Sequence, residues 1–169
     1  MGFLFNVGDK VVYPMHGAGI IESIEEKEIL GESQRYYIMR LPLGDMKVMI
    51  PMSNVTSIGL REVVDEATIT EVIQRLGEGD PDVSNNWNRR YRANLDKMKS
   101  GDIYDMADVV RCLMLREREK GLSTGERKML ENARQILISE MVLAKEIDEN
   151  QAFGLLDQVI QENKKASGC

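Results

Sequence analysis

The apolar residues of this chain change their spacing once, between residues 60 and 65. Before that point they fall in short β-branched runs broken by glycine and proline. Beyond it they recur at intervals of three and four. A period near two builds strands and a period near 3.6 builds helices, so a sheet followed by a set of helices is the arrangement this pattern allows.

In the first part, Lys10-Val11-Val12-Tyr13 is a short β-branched run. Pro14 ends it or puts it on a sheet edge. His16-Gly17 turns the chain, and residues 18–29 carry Ile20, Ile21, Ile24 and Ile29 with acids between them. Leu30-Gly31-Glu32-Ser33 reads as a turn. The next strand is Tyr36-Tyr37-Ile38-Met39-Arg40-Leu41, followed by a turn at Pro42-Leu43-Gly44-Asp45. Met46-Lys47-Val48-Met49-Ile50 alternates and stops at Pro51. Four or five short strands, with turn signals every ~8–12 residues, predict a small barrel or a strongly bent sheet. Ser53-Asn54-Val55 adds a turn of helix or a last strand, and Gly59 closes the segment.

From Asp65 the pattern is helical. Asp65 or Thr68 can cap a helix bearing Ile69, Val72, Ile73 and Leu76, which Gly77 and Gly79-Asp80-Pro81 end. Ser84 or Asn86 can cap a second helix with Tyr91, Leu95 and Met98, stopped by Gly101. A third, over about 102–120, places Ile103, Met106, Ala107, Val110, Leu113 and Met114 on one face. Ser123-Thr124-Gly125-Glu126 is a capping box, in which Ser123 accepts from the backbone and Glu126 reaches back. The helix it opens carries Leu130, Ala133, Leu137, Met141 and Ala144, and a last helix over about 150–163 offers Phe153, Leu156, Val159 and Ile160. The expected class is therefore α+β. A β-rich domain over 1–60 precedes a helical domain of about five helices over 65–164, with residues 165–169 a frayed tail. The join over 60–64 is short and not rich in glycine or serine, so little swing between the two parts is expected.

One stretch stands out chemically. Asn86-Trp87-Asn88-Arg89-Arg90-Tyr91-Arg92 holds the only tryptophan and runs on to Lys97 and Lys99. Five basic residues and one acid between Trp87 and Lys99 sum to +4, in a chain whose formal charge is -6. An acidic protein repels polyanions at long range, so a local basic cluster beside an aromatic is a candidate for a focused nucleic-acid contact. The plainer reading is a solvated helix face with Trp87 anchoring the core.

Other chemistries lack their residues. A single histidine, His16, without a Cys or His cluster cannot make a typical zinc site, so no metal and no cofactor is expected. There is no Gly-x-x-x-x-Gly-Lys-Ser/Thr loop, no Gly-x-Ser-x-Gly, and no second histidine to serve a nucleophile. Glu25, Glu26 and Glu28 are dense, but a strand sends neighbouring acids to opposite faces. The run Arg116-Glu117-Arg118-Glu119-Lys120 reads as a solvated helix end. A binding protein is expected rather than an enzyme. No run of 18 apolar residues exists and the N-terminal residues lack signal-peptide character. Cys112 sits in a helical pattern as a small buried residue, and only Cys169 accompanies it, which points to a reducing cytoplasm.

Taken in order, the segments resemble the CarD/CdnL family of bacterial RNA polymerase-binding transcription regulators. The stretches that carry the likeness are Val7-Gly8-Asp9-Lys10-Val11-Val12-Tyr13-Pro14, Met49-Ile50-Pro51, Gly59-Leu60-Arg61-Glu62-Val63, Asn86-Trp87-Asn88-Arg89-Arg90-Tyr91, Gly125-Glu126-Arg127-Lys128-Met129-Leu130, and Ala133-Arg134 with Ile136-Leu137. The first sixty residues are also similar to the polymerase-interacting module of the transcription-repair coupling factor, whose motor motifs are absent from this sequence. The resemblance implies a Tudor-like, bent antiparallel sheet that docks on the polymerase β subunit by strand augmentation. Carried over by position, its contacts would be Lys27, Ile29, Met49 and Pro51. Some relatives have arginine at the positions of Lys27 and Met49, so this contact is expected to be more apolar. The resemblance further implies that the helical domain sits on promoter DNA at the upstream edge of the melted bubble, without sequence specificity. Trp87 would be a wedge there, Arg89, Arg90 and Arg92 would hold phosphates, and Lys97 would lie alongside. The competing reading is a protein–protein adaptor that binds polymerase and recruits another protein through its helices, with Trp87 as interface anchor. Salt dependence separates the two, because phosphate contacts weaken steeply with salt. A monomer is favoured, although exposed edge strands can self-pair.

Overall fold

The computed structural model describes residues 4–77 and 86–162. The expected ends at Gly79-Asp80-Pro81 and Ser84, and the tail over 165–169, lie outside the described residues. Five strands form one antiparallel sheet: β1 (Lys10–Tyr13), β2 (Gly17–Ile29), β3 (Glu32–Leu41), β4 (Met46–Pro51) and β5 (Arg61–Glu62), in the order β4-β3-β2-β1-β5. A short helix, α1 (Val55–Ile58), leads from β4 to β5. Then follow α2 (Glu66–Gly77), α3 (Trp87–Ser100), α4 (Ile103–Glu119), α5 (Thr124–Lys145) and α6 (Glu149–Glu162). The chain is an α+β protein with a bent antiparallel sheet ahead of five longer helices.

The bend has a local cause. The β2–β3 register shifts between Ile21 and Ser23, so Glu22 is an extra residue. A bulge reverses the alternation, which lets Ile21 and Ile24, three apart, both face the same core. There they meet Val11, Tyr37, Met39, Leu41 and Ile50, with Phe5, Val55 and Leu60 closing the end. The Tyr37 hydroxyl donates to the Phe5 carbonyl and accepts the Phe5 N–H, both at 3.0 Å. The β2–β3 turn is tighter than the sequence suggested. Leu30 and Gly31 both have positive φ, 54° and 80°, and the strand resumes at Glu32. Two-residue turns of this hand match the twist of the strands, so Glu32 and Ser33 are free to pair.

Each of the five longer helices starts on an identifiable cap. Asp65 accepts from Thr68 N–H at 2.8 Å, Asn86 from Arg89 at 3.1 Å, Asp102 from Tyr104 at 2.7 Å and Ser123 from Glu126 at 3.2 Å. At α6, Asp148 and Gln151 bond each other's backbone N–H reciprocally, a capping box the sequence reading overlooked. The central helix α4 buries Val109, Val110, Cys112 and Leu113. Around it pack Ile69, Val72 and Leu76 of α2, Ala133, Leu137 and Met141 of α5, and Ala152, Leu156 and Ile160 of α6.

The sheet leans on α5. Val12 and Ala18 pack on Leu143. Ala18 N–H donates to Ser139 Oγ at 2.8 Å, and Lys10 Nζ to the Leu143 carbonyl at 3.0 Å. Gly17, at φ 119°, has Ser139 Oγ only 3.1 Å from where a Cβ would sit. Glu140, 2 % exposed, closes the junction. It takes a bidentate pair from Arg61 at 2.7 and 2.8 Å and the Val64 N–H at 3.0 Å.

Candidate functional site

Two surfaces carry the residues singled out above. The first is built where the start of α3 meets the start of α5. Trp87 is the first residue of α3 and is 42 % exposed. Its indole Nε1–H donates to Ser123 Oγ at 2.9 Å. Its ring stacks on Tyr91, one turn along, with centroids 4.9 Å apart and planes 17° from parallel. Gly125 lies beneath both rings: a Cβ there would sit 3.7 Å from Trp87 Cζ2 and 3.8 Å from Tyr91 Cε2. The tryptophan is thus neither free nor a core residue. One edge is held by Ser123 and one face is covered by Tyr91, and the rest of the ring is open to solvent.

The basic residues do not act as one patch. Arg89 and Arg92 are exposed on the side of α3 away from its buried stripe, and Lys97 is half-buried about 15 Å along the axis. Arg90 belongs to the stripe, with Asn94 and Met98, and is only 4 % exposed. Its guanidinium meets Glu126 bidentately, at 2.7 and 2.9 Å. The expectation that Arg90 holds a phosphate is therefore corrected: its side chain is buried in an ion pair between α3 and α5. The same pair revises the capping box, since Glu126 turns to Arg90 instead of reaching back along its own helix.

Burial pushes the Glu126 carboxyl up, but hydrogen bonds and charge from Arg90, with the charge of Arg116, hold it below the usual carboxylate range. Arg116 is thus more than part of a solvated helix end. Two further cations, Arg127 and Lys128, are exposed near the start of α5, whose cap Ser123 touches Trp87; Arg127 also donates to the Leu122 carbonyl at 3.4 Å and lies 3.9 Å from Glu117. Sequence reasoning missed them as site residues because they lie far from α3 in the chain. Trp87 and Ser123 are 36 positions apart, and only the fold joins them.

The second surface is the face of the sheet turned away from Tyr37, Met39 and Ile50. Lys27 pairs with Gln34, Ile29 with Glu32, Met49 with Ile38 and Pro51 with Tyr36. Alternation along these strands puts Lys27, Ile29, Met49 and Pro51 on that one face. Met49 and Ile29 are 43 % and 50 % exposed, flanking the buried Tyr36 and Ile38. Beyond them β4 is an edge strand, paired with β3 and with no other strand among the described residues. At the hairpin tip Leu30 is 99 % exposed. His16 lies in an exposed turn, its ring 4.1 Å from that of Tyr13. No group of three or more metal-ligating side chains occurs among the described residues, and no helix is long and apolar enough to cross a membrane.

Known proteins share both halves. Residues 5–64 match the family model described as CarD-like/TRCF RID domain, and residues 71–157 match that described as CarD, C-terminal domain. The putative transcription factor YdeB of Bacillus subtilis (strain 168) is 47% identical over 153 residues, spanning 89% of this chain and 100% of that protein. Two solved structures come from Myxococcus xanthus. The NMR structure of the 72-residue N-terminal domain of CarD has 34% identity and a TM-score of 0.32, covering 37% of this chain and 83% of that one. CdnLNt has 42% identity and a TM-score of 0.33, covering 39% and 93%. The chain belongs to the CarD/CdnL family of transcription factors.

Proposed function

We propose that this protein binds the β subunit of RNA polymerase through its sheet and stabilises the promoter open complex through its helices. It works without catalysis and in the cytoplasm. The sheet, 1–60, and the helices, 65–164, act as two modules. The sheet offers the unpaired edge of β4 for strand addition, with Lys27, Ile29, Met49 and Pro51 beside it. Trp87 stands at the upstream fork of the bubble and makes reclosing costlier. Arg89 and Arg92 of α3, with Arg127 and Lys128 of α5, hold the phosphates, and Lys97 is an outlying contact. Such contacts position the protein without reading sequence.

The observation that carries this reading is Trp87 itself. A large aromatic, 42 % exposed and fixed in orientation, stands at the start of α3, a helix that carries exposed cations, and is bonded to the cap of α5, which carries others. The acidic net charge of -6 suits it, because weak attraction to free DNA leaves the contact dependent on polymerase. A protein that binds the open complex about tenfold more tightly than the closed one shifts that equilibrium by ~1.4 kcal/mol.

Full-length protein and purified polymerase test both modules. Lys27→Glu with Met49→Glu is expected to abolish capture of polymerase, since unpaired carboxylates are costly at an apolar contact. Trp87→Ala is expected to leave capture intact. Retention on fork-junction DNA in the polymerase complex is expected to fall steeply with salt. A salt-insensitive helical contact would favour the adaptor reading, and capture unaffected by the double substitution would remove the docking surface.

A further inference from the structure

We propose that Ser123 is a positioning residue for Trp87, and that the indole meets DNA with its only hydrogen-bonding atom already occupied. This rests on the wedge reading above. Indole has a single polar atom, the Nε1–H donor. Here it is spent on Ser123 Oγ at 2.9 Å, and the same oxygen also accepts the Glu126 N–H at 3.2 Å. Both lone pairs of the hydroxyl are thereby committed.

Behind Ser123, the buried Arg90–Glu126 pair ties the first turn of α5 to α3, so the acceptor cannot drift from the helix that carries the tryptophan. Tyr91 stacks on the ring and fixes its plane. The indole is thus ordered before DNA arrives, which removes an entropic cost from the contact. A minor groove offers mainly acceptors, adenine N3 and thymine O2. An indole with a free N–H could choose among them, whereas one bonded to Ser123 and stacked on Tyr91 presents only its apolar edge and its one open face. The wedge is made indifferent to base identity by a residue that does not touch DNA.

A double-mutant cycle on the full-length protein, read as open-complex lifetime with polymerase on one promoter, tests this. Ser123→Ala is expected to shorten the lifetime about fivefold, the worth of one net hydrogen bond. In a Trp87→Phe background, which has no N–H, the same change should have no further effect. Ser123→Thr keeps the acceptor and should restore the lifetime. Ser123 is also the cap of α5, so each variant is compared at matched folded fraction. An equal loss in both backgrounds would be a cap effect and would overturn the proposal.

A second readout needs no polymerase. Trp87 is the only tryptophan, so acrylamide quenching of its fluorescence reports its freedom directly. Ser123→Ala should raise quenching and Ser123→Thr should not; unchanged quenching in Ser123→Ala overturns the proposal. If Trp87→Ala leaves the lifetime intact, the wedge reading fails by itself, while quenching still decides whether Ser123 holds the ring.

Discussion

Arg90 and Arg92 are two positions apart and have opposite surroundings, so they should respond differently to the same change. Arg90→Ala leaves Glu126 charged, buried and unpaired, which costs ~3–5 kcal/mol of stability. Arg92→Ala alters an exposed side chain and should stay within about 0.5 kcal/mol of wild type. Its effect should appear instead as a salt slope of DNA retention lower by about one. Thermal melts and a salt titration of both variants check the contrast. Arg90 was not distinguishable from its neighbours by composition. Its helical phase puts it on one stripe with Asn94 and Met98, and the partner that explains an arginine there, Glu126, lies 36 residues away.

The same carboxylate gives a pH dependence. Its folded-state pKa lies below the ordinary value of 4.5. Its contribution to stability is therefore complete above that value and is lost as pH falls through the lower folded one. Melting temperature should accordingly fall with pH in this acid range, and Glu126→Gln, already less stable at neutral pH, should show a flatter acid limb. An equally steep acid limb in Glu126→Gln would place the sensitivity elsewhere.

Among the elements, the β2–β3 hairpin shows what periodicity reveals and what it leaves out. Alternation exposed the strands, because one face of each is buried and one is not. The bulge at Glu22 and the two-residue turn escaped, since each depends on how strands twist together and not on residue type alone. That turn holds Leu30 at φ 54°, a conformation that leucine adopts at a cost and asparagine adopts readily. Leu30→Asn should therefore raise stability by about 0.5–1 kcal/mol in a denaturant titration. The helices were legible for the same reason as the strands, with Asp65, Asn86 and Ser123 all serving as caps. The α5 share of the candidate site was not, because Ser123, Arg127 and Lys128 join Trp87 only through the packing of two helix ends.

For the whole molecule, what matters is that the proposed docking surface and the proposed wedge stand on one frame. Glu140 binds Arg61 and the Val64 N–H where the sheet meets α5. Glu140→Ala takes the carboxylate from Arg61, which keeps the Gly101 and Glu62 carbonyls, and leaves the Val64 N–H without its acceptor, so it should cost ~1–3 kcal/mol, measured by denaturant melts. At temperatures where that variant stays folded, it should still bind polymerase yet extend open-complex lifetime less than wild type. Loss of binding and lifetime in proportion would mean that the junction serves stability alone.

The most direct test is the lifetime of a promoter open complex with wild-type protein and with Trp87→Ala, at equal occupancy of polymerase. Trp87 is part-exposed, so its removal should cost about 2–3 kcal/mol, less than loss of a core residue, from one stack, one hydrogen bond and the part of the ring that is covered. Loss of a fully buried tryptophan would cost ~3–5 kcal/mol. Wild-type protein is predicted to prolong the complex several-fold, and Trp87→Ala, bound and folded, to prolong it little or not at all. A Trp87→Ala protein that prolongs it as well as wild type, or one whose deficit is fully explained by unfolding, would contradict the account.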